Sequence, residues 1–315
     1  MGNCEKYNRV EWTRRGVTMI KLIGKYRNGN YDVKIYDDGT KIRETEEDEF
    51  IPSFSENCDV LLTSKCQQLC KFCYEGCTPE GKHSEIDLDS PFVNSLHPYT
   101  ELAINGNDMD HPQLVQFLEK LKEKKVIANM TVNQFQFEKN LGLIKNLQDR
   151  GLLHGIGISL LKADEKLIQS IKQVRNTVLH TICGILSKDD IEFLKDNDIK
   201  ILVLGYKDLE RGHDFKESNG DVIKANTEYL DSVLEKMPEW FNVVSFDNLA
   251  LTQLGVRRIM TDNEWDEFYM GDDGQYTFYV DLVRREFARN SLSKNRHPMG
   301  DMTIDEMFDI VRKEK

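Results

Sequence analysis

The sequence contains no apolar run approaching the roughly 20 residues a membrane span needs, and no apolar segment near its start of the kind that directs secretion. Its opening, "MGNCEK", places Lys6 where a myristoylation signal has Ser or Thr. It holds no internal repeat, no low-complexity tract and no Lys/Arg run beyond short groups such as "KEKK". With 54 acidic against 42 basic side chains the net charge is −12. Such a chain is repelled by a phosphate backbone, which disfavours nucleic acid as a partner. Cysteine is absent after Cys183, and the 7 present make an odd number in a chain without an export signal. This argues for reduced thiols in a cytoplasm and against a disulfide framework.

What is present is regular. Residues 20–43 alternate apolar and polar positions around "NGN" and "DDG", the pattern of a small β-meander with tight turns. Residues 1–18 before it are polar and patternless and are expected to be a mobile extension, with Met19 an alternative start. The acidic run "ETEEDEF" and Pro52 mark a linker, so residues 19–56 read as meander plus linker.

From Asn57 onward, β-branched and apolar runs recur at 59–64, 100–105, 127–133, 154–160, 177–185 and 199–206. Amphipathic segments of helical period lie between most of them, and "SKDDIEFL" begins as a capped helix should. Strands alternating with helices imply parallel strands joined by right-handed crossovers. The fold class expected is α/β: a partial (β/α)6 barrel over residues 57–215, carrying the N-terminal meander. A further strand is predicted in "FNVVSFDN", and a turn-linked hairpin in "FYMGDDGQYTFYVDL" precedes a closing helix. Residues 216–315 are thus a C-terminal hairpin-plus-helix extension. Ligands of such sheets bind at the carboxyl edge of the strands.

Four cysteines, Cys66, Cys70, Cys73 and Cys77, crowd into "SKCQQLCKFCYEGCTPEGKH" on that edge, directly after the first core strand. Structural zinc usually takes four ligands from two separate knuckles, for which one short loop is poorly suited. A ferredoxin-type run has C-x2-C-x2-C and a later Cys-Pro, whereas here the first gap is longer and Thr78 follows the fourth cysteine. The third competing reading is a [4Fe-4S] cluster held by three thiolates, with one iron left open for a small molecule. Cys183 sits in a buried-looking strand as a small hydrophobe, and Cys4 and Cys58 carry no spacing signal.

C-x3-C-x2-C with Phe72 directly before the third cysteine, after the first strand of a (β/α)6 pattern, resembles the radical S-adenosylmethionine (radical SAM) superfamily. The resemblance covers residues 57–206. More narrowly, "CTPEGKH", "GYKDLERG" and "SFDNLA" resemble a subgroup of it found in gut Firmicutes and their phages. The resemblance implies that Cys66, Cys70 and Cys73 bind three irons and that S-adenosyl-L-methionine chelates the fourth. Reductive cleavage would then give a 5′-deoxyadenosyl radical that abstracts hydrogen from a peptide or small metabolite. Flavodoxin or ferredoxin would supply the electron, in an oxygen-sensitive reaction in the cytoplasm. Cys77 as a fourth ligand would close the open iron, so a packing or solvent-facing thiol is expected there. A non-catalytic zinc-binding module and a single-cluster electron-transfer protein are the alternatives.

The same resemblance marks the cofactor pocket. Asn105, Gly106 and Asn107 stand where the superfamily has a Gly-Gly-Glu-type turn that receives the methionyl ammonium; without a full charge the contact is weakened. Asn133 and Ser159 would meet ribose hydroxyls or the methionyl carboxylate. Gly184 and Ile185, with Leu204, Gly205 and Tyr206, match adenine-contacting segments, and Phe72 would pack near the base. Against these readings stand a plain turn, ordinary strand-end polarity and loop packing. Lys207, Arg211, His213, Asp247 and Asn248 are the candidate substrate residues, the cations suiting a carboxylate or phosphate. A solvated charged loop is the competing reading. The C-terminal segment loosely resembles the SPASM-type tail of peptide-modifying relatives but lacks cysteines for auxiliary clusters, so one cluster is expected.

Overall fold

The computed structural model describes residues 8–13, 16–105 and 109–314, with side chains from Ile20 onward. Four antiparallel strands form an N-terminal sheet in chain order: β1 (Asn8–Thr13), β2 (Gly16–Asn28), β3 (Tyr31–Tyr36) and β4 (Lys41–Glu44). Gly29 closes the β2–β3 turn at φ 57, and a Cβ there would lie 1.8 Å from the Ile51 carbonyl oxygen. Only glycine suits both demands. The mobile extension expected over 1–18 is corrected in part. Residues 8–13 and 16–18 belong to the β1–β2 hairpin, which continues the ladder from Asn8↔Lys21 to Thr13↔Gly16. Cross-strand pairing orders them where their own pattern gave no sign. Residues 1–7 lie outside the described residues.

Among the described residues the main sheet has ten strands. β5 (Asn57–Leu61), β6 (Glu101–Asn105), β7 (Ile127–Asn133), β8 (Gly155–Ser159), β9 (Thr177–Ile182), β10 (Lys200–Leu204) and β11 (Val243–Phe246) are parallel, each beside its chain neighbour. The fold is therefore the α/β, partial-barrel architecture that the sequence predicts. β12 (Thr277–Asp281) then returns to pair in parallel with β5. It carries β13 (Glu286–Ala288) and β14 (His297–Pro298) antiparallel at that edge.

The hairpin expected across "GDDG" is thus displaced: it is β12–β13, turning over residues 282–285. Phe278 and Val280 explain this. Both are buried in the main core, so the segment after "GDDG" is drawn into the sheet rather than folded back on the residues before it. The boundary expected at 215/216 falls inside the helix Arg211–Val233, and β11 and β12 extend the core sheet itself.

One face of the sheet is apolar. Val60, Ile104, Met130, Ile158, Leu179 and Val203 bury themselves against the crossover helices. Side chains alternate along a strand, so the concave face carries Asn57, Asp59, Glu101, Asn105, Asn129, Thr131, Asn133, Ser159 and His180. These are half-buried except Asn133, which is buried. A buried parallel sheet usually reads as unbroken apolar runs; this one reserves its inner side for polar groups.

The N-terminal sheet covers the amino ends of the barrel strands. Tyr31, Val33 and Ile35 pack with Ile127 and Tyr276. At the centre of the seam Glu56, fully buried, accepts from the Tyr31 hydroxyl at 2.6 Å and from Arg43 Nε at 2.8 Å. Lys41 bridges Glu56 at 3.3 Å and Glu101 at 2.6 Å. Among the described residues no helix is long and apolar enough to cross a membrane.

Candidate functional site

The cysteine loop leaves β5 at the open, carboxyl end of the barrel. Bridges between Thr63 and His83 and between Lys65 and Thr78 fold it back on itself. Within it the Cys66 N–H donates to the Thr78 carbonyl at 2.8 Å and the Cys73 N–H to the Cys70 carbonyl at 3.2 Å. Cys66 and Cys77 are buried, Cys70 and Cys73 half-buried, and none of the six described cysteines is in a disulfide. From the helix Arg211–Val233, Arg211 reaches over the loop. Its Nε donates to the Cys70 carbonyl at 3.0 Å and its Nη2 to the Cys77 carbonyl at 2.8 Å.

The thiols are electrostatically unequal. A hydrogen bond from Cys77 draws the Cys73 thiol down to about 6, and the same bond pushes the Cys77 thiol up. Burial lifts Cys70 to about 11. Among the described residues no three His, Cys, Asp or Glu side chains are gathered to hold a single metal ion. The three thiols of the C-x3-C-x2-C run share one loop, Cys66 and Cys73 lying within charge reach of Cys70.

The other predicted residues fall into distinct settings. Gly106 and Asn107 lie outside the described residues, while Asn105 ends β6 and accepts the Leu62 N–H at 3.3 Å through its carbonyl. Asn133 and Ser159 are register partners on β7 and β8, with His180 opposite Ser159 on β9. The Asn133 side chain caps a helix, accepting from the Gln136 N–H at 2.9 Å. Gly184 and Gly205 clear space for helices: Cβ atoms there would sit 2.6 Å from Ile223 Cγ2 and 2.4 Å from Leu249 Cγ. Ile185 follows in the turn after β9, and Leu204 ends β10. Tyr206 is buried, its hydroxyl donating to the Gly212 carbonyl at 2.6 Å. Phe72 meets Phe215 edge to face, with ring centres 6.0 Å apart.

Of the candidate substrate residues, His213 is exposed and paired with Asp208 at 2.8 Å on the surface. Asp247 caps the helix Asn248–Leu254 and also accepts the Gly205 N–H at 2.8 Å. Lys207 and Asn248 bridge the two margins of the barrel. Lys207 Nζ lies 3.0 Å from Ser291 Oγ and 3.8 Å from the centre of the Tyr74 ring, and Asn248 Nδ2 donates to Asp273 at 2.8 Å. Side chains thereby link the segments after β10 and β11 to those flanking β12 and β13.

Around Lys207 the structure assembles Asp59, Glu75, Asp247 and Asp273, a group not foreseen as a unit. Burial lowers the Lys207 ammonium despite these four carboxylates, and burial raises Asp59 to about 6 and lifts Glu75 and Asp247 as well. On the neighbouring strands His180 is held down at about 4 by burial, neutral at pH 7. Gly157 makes room for it: a Cβ there would be 2.5 Å from His180 Nε2 and 2.8 Å from Thr131 Oγ1. The signal for this polar chamber was the alternation of Asp59, Asn129, Thr131 and His180 with apolar neighbours.

No protein-family model matches the chain, and no curated protein matches it in sequence. Solved structures match its fold. The structure of SuiB from Streptococcus suis bound to S-adenosylmethionine aligns with a TM-score of 0.52 at 12% identity, covering 84% of this chain and 69% of that one. SuiB bound to the precursor peptide SuiA aligns with a TM-score of 0.50 at 13% identity, over 84% of this chain and 68% of that one. At these identities the likeness is one of fold.

Proposed function

We propose that this chain is a radical SAM enzyme in which Cys66, Cys70 and Cys73 hold one [4Fe-4S] cluster and S-adenosyl-L-methionine binds beside it. One observation carries the reading: a C-x3-C-x2-C loop, clamped by Arg211, stands over the polar concave face of a partial barrel. The donor set fits the group. A cluster takes each thiolate on a separate iron, and Cys66, Cys70 and Cys73 lie on one loop, the outer two within charge reach of Cys70. When bound, the cluster supplies the electron that cleaves the sulfonium bond, from a donor such as flavodoxin or ferredoxin.

The chain's own residues then bind and orient. Asn105, Asn133 and Ser159 present polar groups at the carboxyl ends of β6, β7 and β8, next to the loop, for the methionyl and ribose moieties. The turns after β9 and β10, from Gly184 to Ile185 and from Leu204 to Tyr206, edge the adenine. Cys77 stays off the cluster, and Arg211 fixes the loop from outside rather than meeting substrate. SuiB, of the same fold, is seen with a precursor peptide, which supports a peptide as the substrate here. The acidic surface supports a partner other than nucleic acid.

Anaerobic reconstitution followed by reduction with S-adenosylmethionine tests the reading. 5′-Deoxyadenosine forms, and Cys70→Ala abolishes it. Zinc binding without cleavage, or a Cys70→Ala variant that still cleaves, overturns it.

A further inference from the structure

Asp281 ends β12 on the concave side of the barrel. Its strand mates Phe278 and Val280 lie in the helix-side core, and Asp281 stands in register with Leu61 of β5. The side chain is 1% exposed. Oδ1 accepts the backbone N–H groups of Val283 and Arg284, both at 2.9 Å. Oδ2 accepts no hydrogen bond, and the Arg284 guanidinium paired with it is 3.6 Å away and 62% exposed.

A second carboxylate oxygen shares this state. Glu75 Oε1 is buried without a hydrogen-bond partner, on a residue in polar contact with Tyr74 and within charge reach of Asp281. Tyr279, also on β12, feels both charges. The third orphan is a donor: Arg296 Nη1 is buried and unpartnered, and its guanidinium carbon lies 5.0 Å from the centre of the Tyr279 ring. Ionised carboxylate oxygens only accept, and guanidinium nitrogens only donate. Lys207 is already shared among four acids. The chamber therefore has a surplus of negative charge and one unused donor beside it.

We infer that this corner of the barrel binds an amino-acid unit. A cationic group of the unit, an ammonium or guanidinium, is held by Glu75 and Asp281, and its carbonyl oxygen faces Arg296. The inference rests on the concave face being the substrate chamber proposed above, and it narrows the substrate to one presenting a cation. A neutral donor would fill the hydrogen bonds but leave the charge uncompensated. Buried polar groups left without partners in the free protein are the ones that discriminate most sharply between ligands. The cation comes either from a lysine or arginine side chain or from a free chain terminus.

The test is binding, read by ligand-observed NMR and calorimetry on the full-length reconstituted protein, without turnover. The probes are Nα-acetyl-L-lysine amide, carrying only a side-chain cation, L-alanine amide, carrying only an α-ammonium, and neutral Nα-acetyl-L-norleucine amide. At least one cationic probe binds tenfold or more tightly than the norleucine compound, and which one does identifies the source of the cation. Asp281→Asn keeps the oxygen that caps the turn, so it folds, melts at a higher temperature than the native chain and loses the preference. Glu75→Gln loses it independently. Equal binding of all three probes, no binding of any, or a preference surviving in both variants overturns the inference. Because no cleavage is measured, these outcomes are separate from failure of the radical reading.

Discussion

Arg211 Nη2 donates to the Cys77 carbonyl oxygen at 2.8 Å, a hydrogen bond that spans 134 positions of sequence. Its Nε holds Cys70 in the same way, so one guanidinium ties the middle and the end of the cysteine loop to a helix beyond β10. Hydrogen bonds to charged groups contribute about 1.5–3 kcal/mol each. Arg211→Ala lowers the urea midpoint and the iron retained after anaerobic reconstitution. Arg211→Lys recovers little of either, because an ammonium cannot span both carbonyls as a planar fork does. Native iron content in Arg211→Ala would show that the loop holds itself.

Cys77 is the thiol to compare with its three neighbours. Cys77→Ser keeps a hydroxyl for the contact with Cys73 and retains the visible absorbance of a full cluster. Cys66→Ala, Cys70→Ala and Cys73→Ala lose it. Loss in Cys77→Ser equal to that in Cys73→Ala would make Cys77 a ligand.

The seam under the barrel depends on Glu56. Burial alone would push its carboxyl up, but Lys41 and Arg43 outweigh that and hold it below the ordinary glutamate range. A depressed folded value means the group stabilises the protein above the unfolded value, near 4.3, and that this contribution is lost as pH falls through the folded value. Glu56→Gln, which strands two cations, costs about 3–5 kcal/mol and flattens the acid limb of stability. Urea titrations between pH 3 and 7 on both proteins check this.

Asp59 acts with the opposite sign. Burial raises its carboxyl to about 6 in the folded chain, so the native state binds more protons than the unfolded chain between the ordinary aspartate value and that point. Stability contributed by protonated Asp59 is therefore present at low pH and lost as pH rises through about 6. Asp59→Asn removes this decline. The difference between the two stability curves across that window is the measurement, and parallel curves would refute the assignment.

Gly184→Ala places a methyl group 2.6 Å from Ile223 at a backbone φ of 80, and Gly205→Ala places one 2.4 Å from Leu249. Overpacking of this kind typically costs about 1–3 kcal/mol. Both variants melt lower than the native chain, Gly184→Ala more so because backbone strain adds to the clash. A native melting temperature in either would place the helix farther from the turn.

The parallel strands were legible because their apolar runs alternate with amphipathic segments, and the carboxyl-edge rule with the cysteine spacing marked out the candidate site proposed above. The β1–β2 pairing was not, since its order comes from the partner strand rather than from local pattern. Nor was the place of β12, whose partner β5 lies far earlier in the chain. Arg211 drew attention as a charge near the barrel mouth, but that its partners are loop carbonyls depends on tertiary geometry. The same holds for Lys207, which meets Ser291 and Tyr74 only once the barrel margins approach.

The strand that bears the cysteine loop, β5, is flanked by β6 on one side and by β12 on the other. β6 is made soon after it, but β12 follows only far later in the chain. Domains fold as units while synthesis proceeds from the N-terminus, and contacts distant in sequence close slowly. Until β12 is made, then, one edge of the loop's supporting strand is unpaired. The geometry of the cysteine loop is consequently finished only once β12 is in place, and a truncation before Thr277, which spares every cysteine, undermines it.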